Sequence, residues 1–153
     1  MNVVILRGIP GSGKTSYIGK LTPGKRFAVC SADDYHYHIV NGVYKFDPAS
    51  APHAHNCCLK QYVKDLQCEI VLDLLIVDNT NLAAWEIAPY YRLAEANDFP
   101  VKIVRMHCPF EVAAKRNIHD VPVEKVWAMH QILMADKLPL WWKEEFVLQE
   151  KET

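Results

Sequence analysis

The chain has 153 residues, half of them hydrophobic, with 17 basic and 18 acidic side chains and a formal net charge of −1. This length suits one α/β domain and excludes two ordinary ones, and the balanced charge excludes a global electrostatic footprint for nucleic acid. Five cysteines without a CxxC pair argue against a disulfide framework and favour a reducing cytoplasm. No apolar run approaches the ~18 residues of a membrane span, and we expect no signal peptide.

The first element is predicted to be a strand that leads into a phosphate-binding loop. An apolar run, Val3 to Leu6, predicts a buried strand, and Ser16 to Leu21 predicts the first turns of a helix. Between them lies G-x-x-x-x-G-K-[ST], the P-loop pattern, whose glycines let backbone N–H groups curl around phosphate oxygens. Lys14 would reach the β- and γ-phosphates of ATP, and the Thr15 hydroxyl would ligate Mg²⁺. The predicted ATP-binding residues of this loop are Gly11, Ser12, Gly13, Lys14 and Thr15.

Two adjacent carboxylates follow the second predicted strand, Phe27 to Cys30. Asp33 and Asp34 lie just past the strand end, where ligands bind in open α/β sheets. An aspartate that merely caps a helix is an equal alternative on this segment alone. Further along, Asn41-Gly42 predicts a turn and Asp47-Pro48 predicts the start of a helix.

The next segment combines histidines, cysteines and an amphipathic helix. Four histidines, His36, His38, His53 and His55, precede Cys57 and Cys58, which suggests a metal site. The H-x-H spacing points these side chains to different faces of a helix, so the metal-site interpretation is disfavoured. The helix is predicted to run to Ile70, with an apolar face formed by Leu59, Tyr62, Val63, Leu66 and Ile70.

A third strand is predicted from Val71 to Val77, and it ends at Asp78. An acid at the end of such a buried strand lies where a Walker B aspartate holds Mg²⁺, directly or through water. The helix that follows is predicted to break or restart at Pro89, and to stop at Asn97-Asp98.

The last part of the chain predicts a strand, two helices and a closing strand. The strand is Val101 to His107, and the closing strand lies around Phe146 to Leu148. Lys115 and Arg116, before a loop between the two helices, fit a solvated face better than a catalytic pair when taken alone. The helices are Phe110 to Asn117 and Val123 to Met134, the latter with an apolar face of Val123, Val126, Trp127, His130 and Leu133.

Taken together, these motifs resemble the P-loop kinase family of phage-type polynucleotide 5′-kinases and the related small stand-alone kinase-like ATP-binding proteins. The similarity covers about residues 3–134. It is densest in Asp78-Asn79-Thr80-Asn81-Leu82 with Trp85 and Tyr90, and in Lys115-Arg116-Asn117-Ile118-His119 leading to Glu124-Lys125-Val126. It also includes His53 and Asn56, to which we assign no chemistry.

The resemblance implies a role for several residues. Asp33 resembles the general base that accepts the proton of the attacking hydroxyl, and Arg116 resembles the lid arginine that neutralises the transferred phosphoryl group. Arg116 therefore joins the predicted ATP-binding residues. Asp78 and Thr80 resemble the group that faces metal and substrate. His36 stands where the phage enzyme has an arginine that grips a substrate phosphate, and a neutral imidazole is a poor substitute for a guanidinium.

The expected protein is therefore a kinase module with ATP and Mg²⁺ as cofactors. We expect a three-layer α/β/α sandwich with a mainly parallel five-stranded sheet and a central first strand, over residues 1–148, with a lid near 113–122 and a polar tail at 149–153. The expected acceptor is the 5′-hydroxyl of single-stranded RNA or DNA. A small-molecule kinase and a non-catalytic ATP-binding regulatory module remain alternatives.

Overall fold

The computed structural model describes residues 1–39, 47–117 and 120–149. Five parallel strands form one sheet in the order β2-β3-β1-β4-β5, as expected for a three-layer α/β fold with its first strand in the centre. The strands are β1 Asn2–Arg7, β2 Phe27–Cys30, β3 Leu74–Asp78, β4 Val101–His107 and β5 Glu144–Leu148. The helices are α1 Lys14–Leu21, α2 Asp33–Ile39, α3 Ala51–Leu66, α4 Ala84–Ala96, α5 Phe110–Lys115 and α6 Val123–Ala135.

The central strand β1 is buried on both faces because helices cover the sheet on each side. Val3 and Ile5 pack in a core cluster with residues of α3 and α4, whereas Val4 and Leu6 pack in a second cluster with α1. A strand covered in this way is a continuous apolar run rather than an alternating one, which is the pattern the sequence shows. Leu6 is paired with Asp78 on β3, so the end of β3 lies beside the start of the P-loop.

Helix α3 ends earlier than the sequence predicts. Asp47 caps a short 3-10 helix, Pro48–Ser50, by accepting a hydrogen bond from the Ala49 N–H at 3.0 Å, which confirms the predicted helix start. The prediction that Ile70 lies on the buried face is wrong, because the helix ends at Leu66 and Ile70 is 67% exposed. The buried face of α3 comprises Ala54, Cys58, Tyr62 and Leu66. The predicted turn at Asn41-Gly42 lies outside the described residues.

Strand β3 is also shorter than predicted, and it begins at Leu74. Val71 is 63% exposed, and Asp73 accepts a hydrogen bond at 2.8 Å from the backbone N–H of Arg26. The first residues of this apolar run therefore belong to the loop between α3 and β3. The same hydrogen bond, with the Arg26 guanidinium beside it, holds the pKa of Asp73 below its usual range.

Helix α4 passes through Pro89 without a break, so the predicted interruption is wrong. Pro89 is exposed and follows the first turn of the helix, where the missing N–H removes only the bond to the Trp85 carbonyl. The predicted end at Asn97 is confirmed, since Asn97 is the C-terminal cap and Asp98 has a φ of 57°.

Helix α6 buries a narrower face than predicted. Val126 and Leu133 are buried in a cluster that also contains Ile9 of the P-loop and Ala113 of α5. Val123 and Trp127 were expected to lie inward, but they are 54% and 49% exposed. The closing strand β5 is confirmed and pairs in parallel with β4. In the described ranges no helix combines the length and the apolar character that crossing a membrane requires.

Candidate active site at the P-loop

The P-loop adopts a backbone that only glycine tolerates at two positions. Gly11 has a φ of 78° and Gly13 a φ of 92°, both in the left-handed region. A Cβ at Gly11 would collide with the Ala113 carbonyl of α5, and a Cβ at Gly13 would collide with the side chain of Gln149. The loop is therefore enclosed by α5 on one side and by the residue after β5 on the other. Ser12, between the two glycines, is buried.

Lys14 bridges the loop. Its ammonium donates hydrogen bonds to the carbonyls of Gly8 at 3.0 Å and Ile9 at 3.2 Å. Burial lowers the pKa of Lys14, while the nearby carboxylates of Asp78 and Asp33 oppose that shift. The structure thus brings three residues that the sequence predicted separately into one electrostatic neighbourhood.

Candidate oxygen donors for Mg²⁺ lie at the end of β3 and in the first turn of α1. Asp78 is the last residue of β3, and the Gly8 N–H donates to the carbonyl of Thr80 at 3.0 Å. Thr15 is exposed in the first turn of α1. Within the described part of the chain no group of three His, Cys, Asp or Glu could hold a metal by itself. This donor set fits Mg²⁺, which is commonly bound through one or two protein oxygens together with substrate phosphates.

Two asparagines after β3 position the loop that follows Asp78. Asn79 Oδ1 accepts a hydrogen bond from the Ala32 N–H at 2.9 Å, and its Nδ2 donates to the Cys58 sulfur at 3.4 Å. Asn81, with a φ of 47°, donates from Nδ2 to the Leu6 carbonyl at 2.7 Å. The sequence motif indicated these positions without their roles, since neither partner is near in sequence.

Asp33 opens helix α2 and is exposed, with Asp34 beside it in the first turn. The Ser31 hydroxyl accepts a hydrogen bond from the Asp33 N–H at 3.3 Å. His36, one turn further, is 3% exposed, and its ring meets the edge of the Tyr35 ring at a centroid distance of 5.8 Å.

Arg116 follows α5, and its N–H donates to the carbonyls of Val112 at 3.2 Å and Ala113 at 3.1 Å. It is half-buried, and its charge opposes the rise that burial causes in the pKa of the Cys108 thiol. Ala113, one turn earlier, is the residue that closes against Gly11. The predicted lid arginine therefore follows directly on the helix that packs against the P-loop.

A buried arginine that the sequence analysis missed lies directly before the P-loop. Arg7, the residue before the P-loop, is 1% exposed. Its guanidinium forms ion pairs with Asp136 at 2.9 Å and Glu144 at 3.0 Å. It also donates to the carbonyls of Asn81 at 3.1 Å and Leu82 at 2.7 Å. The sequence feature that could have indicated Arg7 is its position as a single charged residue at the end of a buried apolar run.

The histidines of α3 lie away from these residues. His53 and Asn56 are exposed and line a surface cavity of about 510 Å³ together with Lys60 and Lys64. His53 Nε2 lies 3.6 Å from the Cys57 sulfur, and His55 is exposed.

Comparison of the sequence with known families finds a match over residues 3–119 to a family described as an AAA domain. Human NEDD4-binding protein 2 is 36% identical over 133 residues, which cover 83% of this chain and 7% of that protein. The chain thus spans a small fraction of the length of this relative.

Solved structures with the same fold include several kinases. A kinase candidate from Chloroflexus aurantiacus superimposes with a TM-score of 0.70 at 17% identity, covering 96% of this chain and 87% of that one. A chain of the Pnkp1/Rnl/Hen1 RNA repair complex gives 0.63 at 14% identity, covering 87% and 44%. A gluconokinase from Sinorhizobium meliloti gives 0.57 at 18% identity, covering 96% and 82%. These likenesses confirm the P-loop kinase fold.

Proposed function

The chain belongs to the AAA-domain family, and we propose that it is an ATP-dependent phosphotransferase that acts on a hydroxyl group. The observation that carries this proposal is the position of Lys14, whose ammonium lies in the P-loop near both the Asp78 and Asp33 carboxylates. A phosphate-binding cation with one carboxylate for metal and another for a nucleophile supplies the groups that phosphoryl transfer requires.

In the proposed mechanism the P-loop binds the phosphates of ATP and orients the γ-phosphorus. The Lys14 ammonium exchanges the carbonyls of Gly8 and Ile9 for oxygens of the β- and γ-phosphates. Thr15 and Asp78 would hold Mg²⁺, which neutralises charge on those phosphates when bound. The protein thus contributes mainly positioning and charge neutralisation.

Asp33 is proposed as the general base. Its carboxylate accepts the proton of the acceptor hydroxyl while that oxygen bonds to the γ-phosphorus and the bond from the γ-phosphorus to the bridging oxygen of ADP breaks. Arg116 would close over the transferred group and neutralise its equatorial oxygens. A non-catalytic ATP-binding module needs neither residue, which favours the enzymatic alternative.

The 5′-hydroxyl of single-stranded RNA or DNA is the first proposed acceptor. It is supported by the resemblance of the Asp33, Asp78 and Arg116 motifs to polynucleotide 5′-kinases, and by the fold shared with a chain of an RNA repair complex. The 5′-hydroxyl is at the end of a single strand, so it can approach the Asp33 carboxylate without a groove that binds a long duplex.

A small hydroxylated metabolite is the second candidate, because His36 is buried. The residue that takes the place of a phosphate-gripping arginine is 3% exposed, so it presents little surface to a polyanion. The net charge of −1 also lacks the excess of positive charge that favours nucleic acid.

The acceptor is tested by incubating the protein with γ-labelled ATP, Mg²⁺ and a 5′-hydroxyl oligonucleotide, beside a panel of nucleosides and sugars. We expect label at the oligonucleotide 5′ end and none on a matched oligonucleotide that already carries a 5′-phosphate. Label on a metabolite alone would establish the second candidate instead. ATP binding without transfer to any acceptor would refute the phosphotransferase proposal.

A further inference from the structure

Arg7 occupies an unusual place for a charged side chain. It is the last residue of β1, directly before Gly8, and it is 1% exposed. Its guanidinium makes four contacts: two with the carboxylates of Asp136 and Glu144, and two with the carbonyls of Asn81 and Leu82. A planar guanidinium with fixed donors can satisfy four acceptors from three separate segments at once, which an ammonium cannot do with the same geometry.

Stability alone is a poor explanation for this cluster. Removing charges from water is costly, and apolar replacement of a buried ion-pair network is often neutral or stabilising. The carboxylates of Asp136 and Glu144 are 23% and 18% exposed, so the arginine bears most of the desolvation. The arrangement is better explained by the geometry that it imposes.

One half of that geometry concerns the loop after β3. Arg7 donates to the carbonyls of Asn81 and Leu82, the Gly8 N–H donates to the Thr80 carbonyl, and Asn81 donates to the Leu6 carbonyl. Residues 6–8 and residues 80–82 are therefore joined at successive positions. The loop that begins with Asp78 is held against the start of the P-loop.

The other half concerns the helix after the lid. Asp136 is the C-terminal cap of α6, and Glu144 is the first residue of β5. The N-terminal part of α6 follows the predicted lid, while Val126 and Leu133 pack in the cluster that contains Ile9. The guanidinium thus fixes the C-terminal end of α6 beside the start of the P-loop.

We propose that Arg7 is a positioning residue, which holds the Asp78 loop and the end of α6 in register with the P-loop so that Asp78 meets the Mg²⁺ of bound ATP. This inference rests on the proposed function, since it assigns Arg7 to the same site. It predicts that the contribution of Mg²⁺ to nucleotide affinity depends on Arg7, although Arg7 touches neither the predicted phosphate ligands nor the predicted metal ligands.

The test compares the affinity for a non-hydrolysable ATP analogue with and without Mg²⁺, by calorimetry, in the wild type and in Arg7→Met. We expect the gain in affinity from Mg²⁺ to fall about 10- to 100-fold, as for other residues that orient a metal ligand. Affinity without Mg²⁺ should change by less than about threefold, because the P-loop amides and Lys14 remain. Arg26→Met, which breaks an exposed ion pair at 3.4 Å, is the matched control and should preserve the gain.

A second variant separates positioning from folding. Arg7→Met, Asp136→Leu and Glu144→Leu together remove every charge of the cluster, so we expect thermal stability to recover from the loss in Arg7→Met. The Mg²⁺ gain should stay low, because the Asn81 and Leu82 carbonyls still lack their donor. Recovery of the gain together with stability would overturn the proposal, as would an unchanged gain in Arg7→Met. These measurements need no acceptor, so a wild type that shows the Mg²⁺ gain but transfers no phosphate would refute the proposed function alone.

Discussion

Asn79 and Ala32 are joined by a hydrogen bond of 2.9 Å between the side-chain carbonyl of Asn79 and the backbone N–H of Ala32. It connects the end of β3, which carries Asp78, to the residue before Asp33. The Cys58 sulfur accepts from the other end of the same amide. This buried side chain therefore contributes to the relative position of the two carboxylates of the candidate site.

We predict that Asn79→Ala displaces Asp33 and slows phosphoryl transfer about 100-fold, since a displacement of about 1 Å costs that much in a positioned reaction. It should also lower the free energy of unfolding by about 1–3 kcal/mol, because the Ala32 N–H loses its acceptor. Single-turnover kinetics and chemical denaturation measure the two effects. Asn97→Ala, which removes the exposed bond from Asn97 Nδ2 to the Leu93 carbonyl, is the control and should leave transfer unchanged.

The lowered pKa of Lys14 predicts how stability varies with pH. Burial lowers the pKa from its ordinary value of 10.5, so between the folded and unfolded pKa values the unfolded state binds more protons. Stability from this group therefore rises with pH through that window. The melting temperature of the wild type should rise relative to that of Lys14→Met as pH increases in the alkaline range. A constant difference, or one that falls with pH, would contradict the shift.

Arg116 should matter far more than the lysine beside it. Arg116→Ala is expected to lower kcat by about 100-fold or more while nucleotide affinity changes little, because its charge is needed mainly as the phosphoryl group transfers. Lys115→Ala removes an exposed cation from the preceding position and should retain near wild-type kcat. Equal effects of the two substitutions would indicate a general electrostatic contribution and not a specific one.

Gly11 of the P-loop and Gly19 of helix α1 should respond to alanine in opposite ways. Gly11→Ala requires a left-handed φ and a collision with the Ala113 carbonyl, so we expect a loss of at least about 1–3 kcal/mol together with weaker ATP binding. Gly19→Ala adds a methyl group to helix α1 in open space and should stabilise by about 0.5–1 kcal/mol. Thermal melts of the two variants test the assignment of the loop geometry.

The sequence predicted best the parts whose signals are local. The limits of β2 and β4 match the prediction, and Asp78 lies at the end of β3 as expected, because alternation and strand-end carboxylates are read within a few residues. The P-loop geometry follows from its own glycines for the same reason.

The parts that failed depend on distant partners. In the sequence, Arg7 is only the residue that ends an apolar run. Its partners Asp136 and Glu144 lie far along the chain, and α6 and β5 place them beside it in the fold. Val123 and Trp127 have helical spacing, but the buried cluster beneath α6 takes in Val126 and Leu133 and leaves those two side chains exposed. The periodicity predicts which face of a helix is apolar, whereas the packing of neighbouring elements decides how much of that face is buried.

The most direct test of the proposed mechanism compares Asp33→Asn with Asp34→Asn, two isosteric changes in the first turn of α2. The rate of γ-phosphate transfer to the acceptor and the affinity for ATP would be measured for both. We expect Asp33→Asn to lose at least about 100-fold in transfer with nearly unchanged ATP affinity, and Asp34→Asn to stay near the wild type. Transfer by Asp33→Asn within about tenfold of the wild type would contradict its assignment as the base.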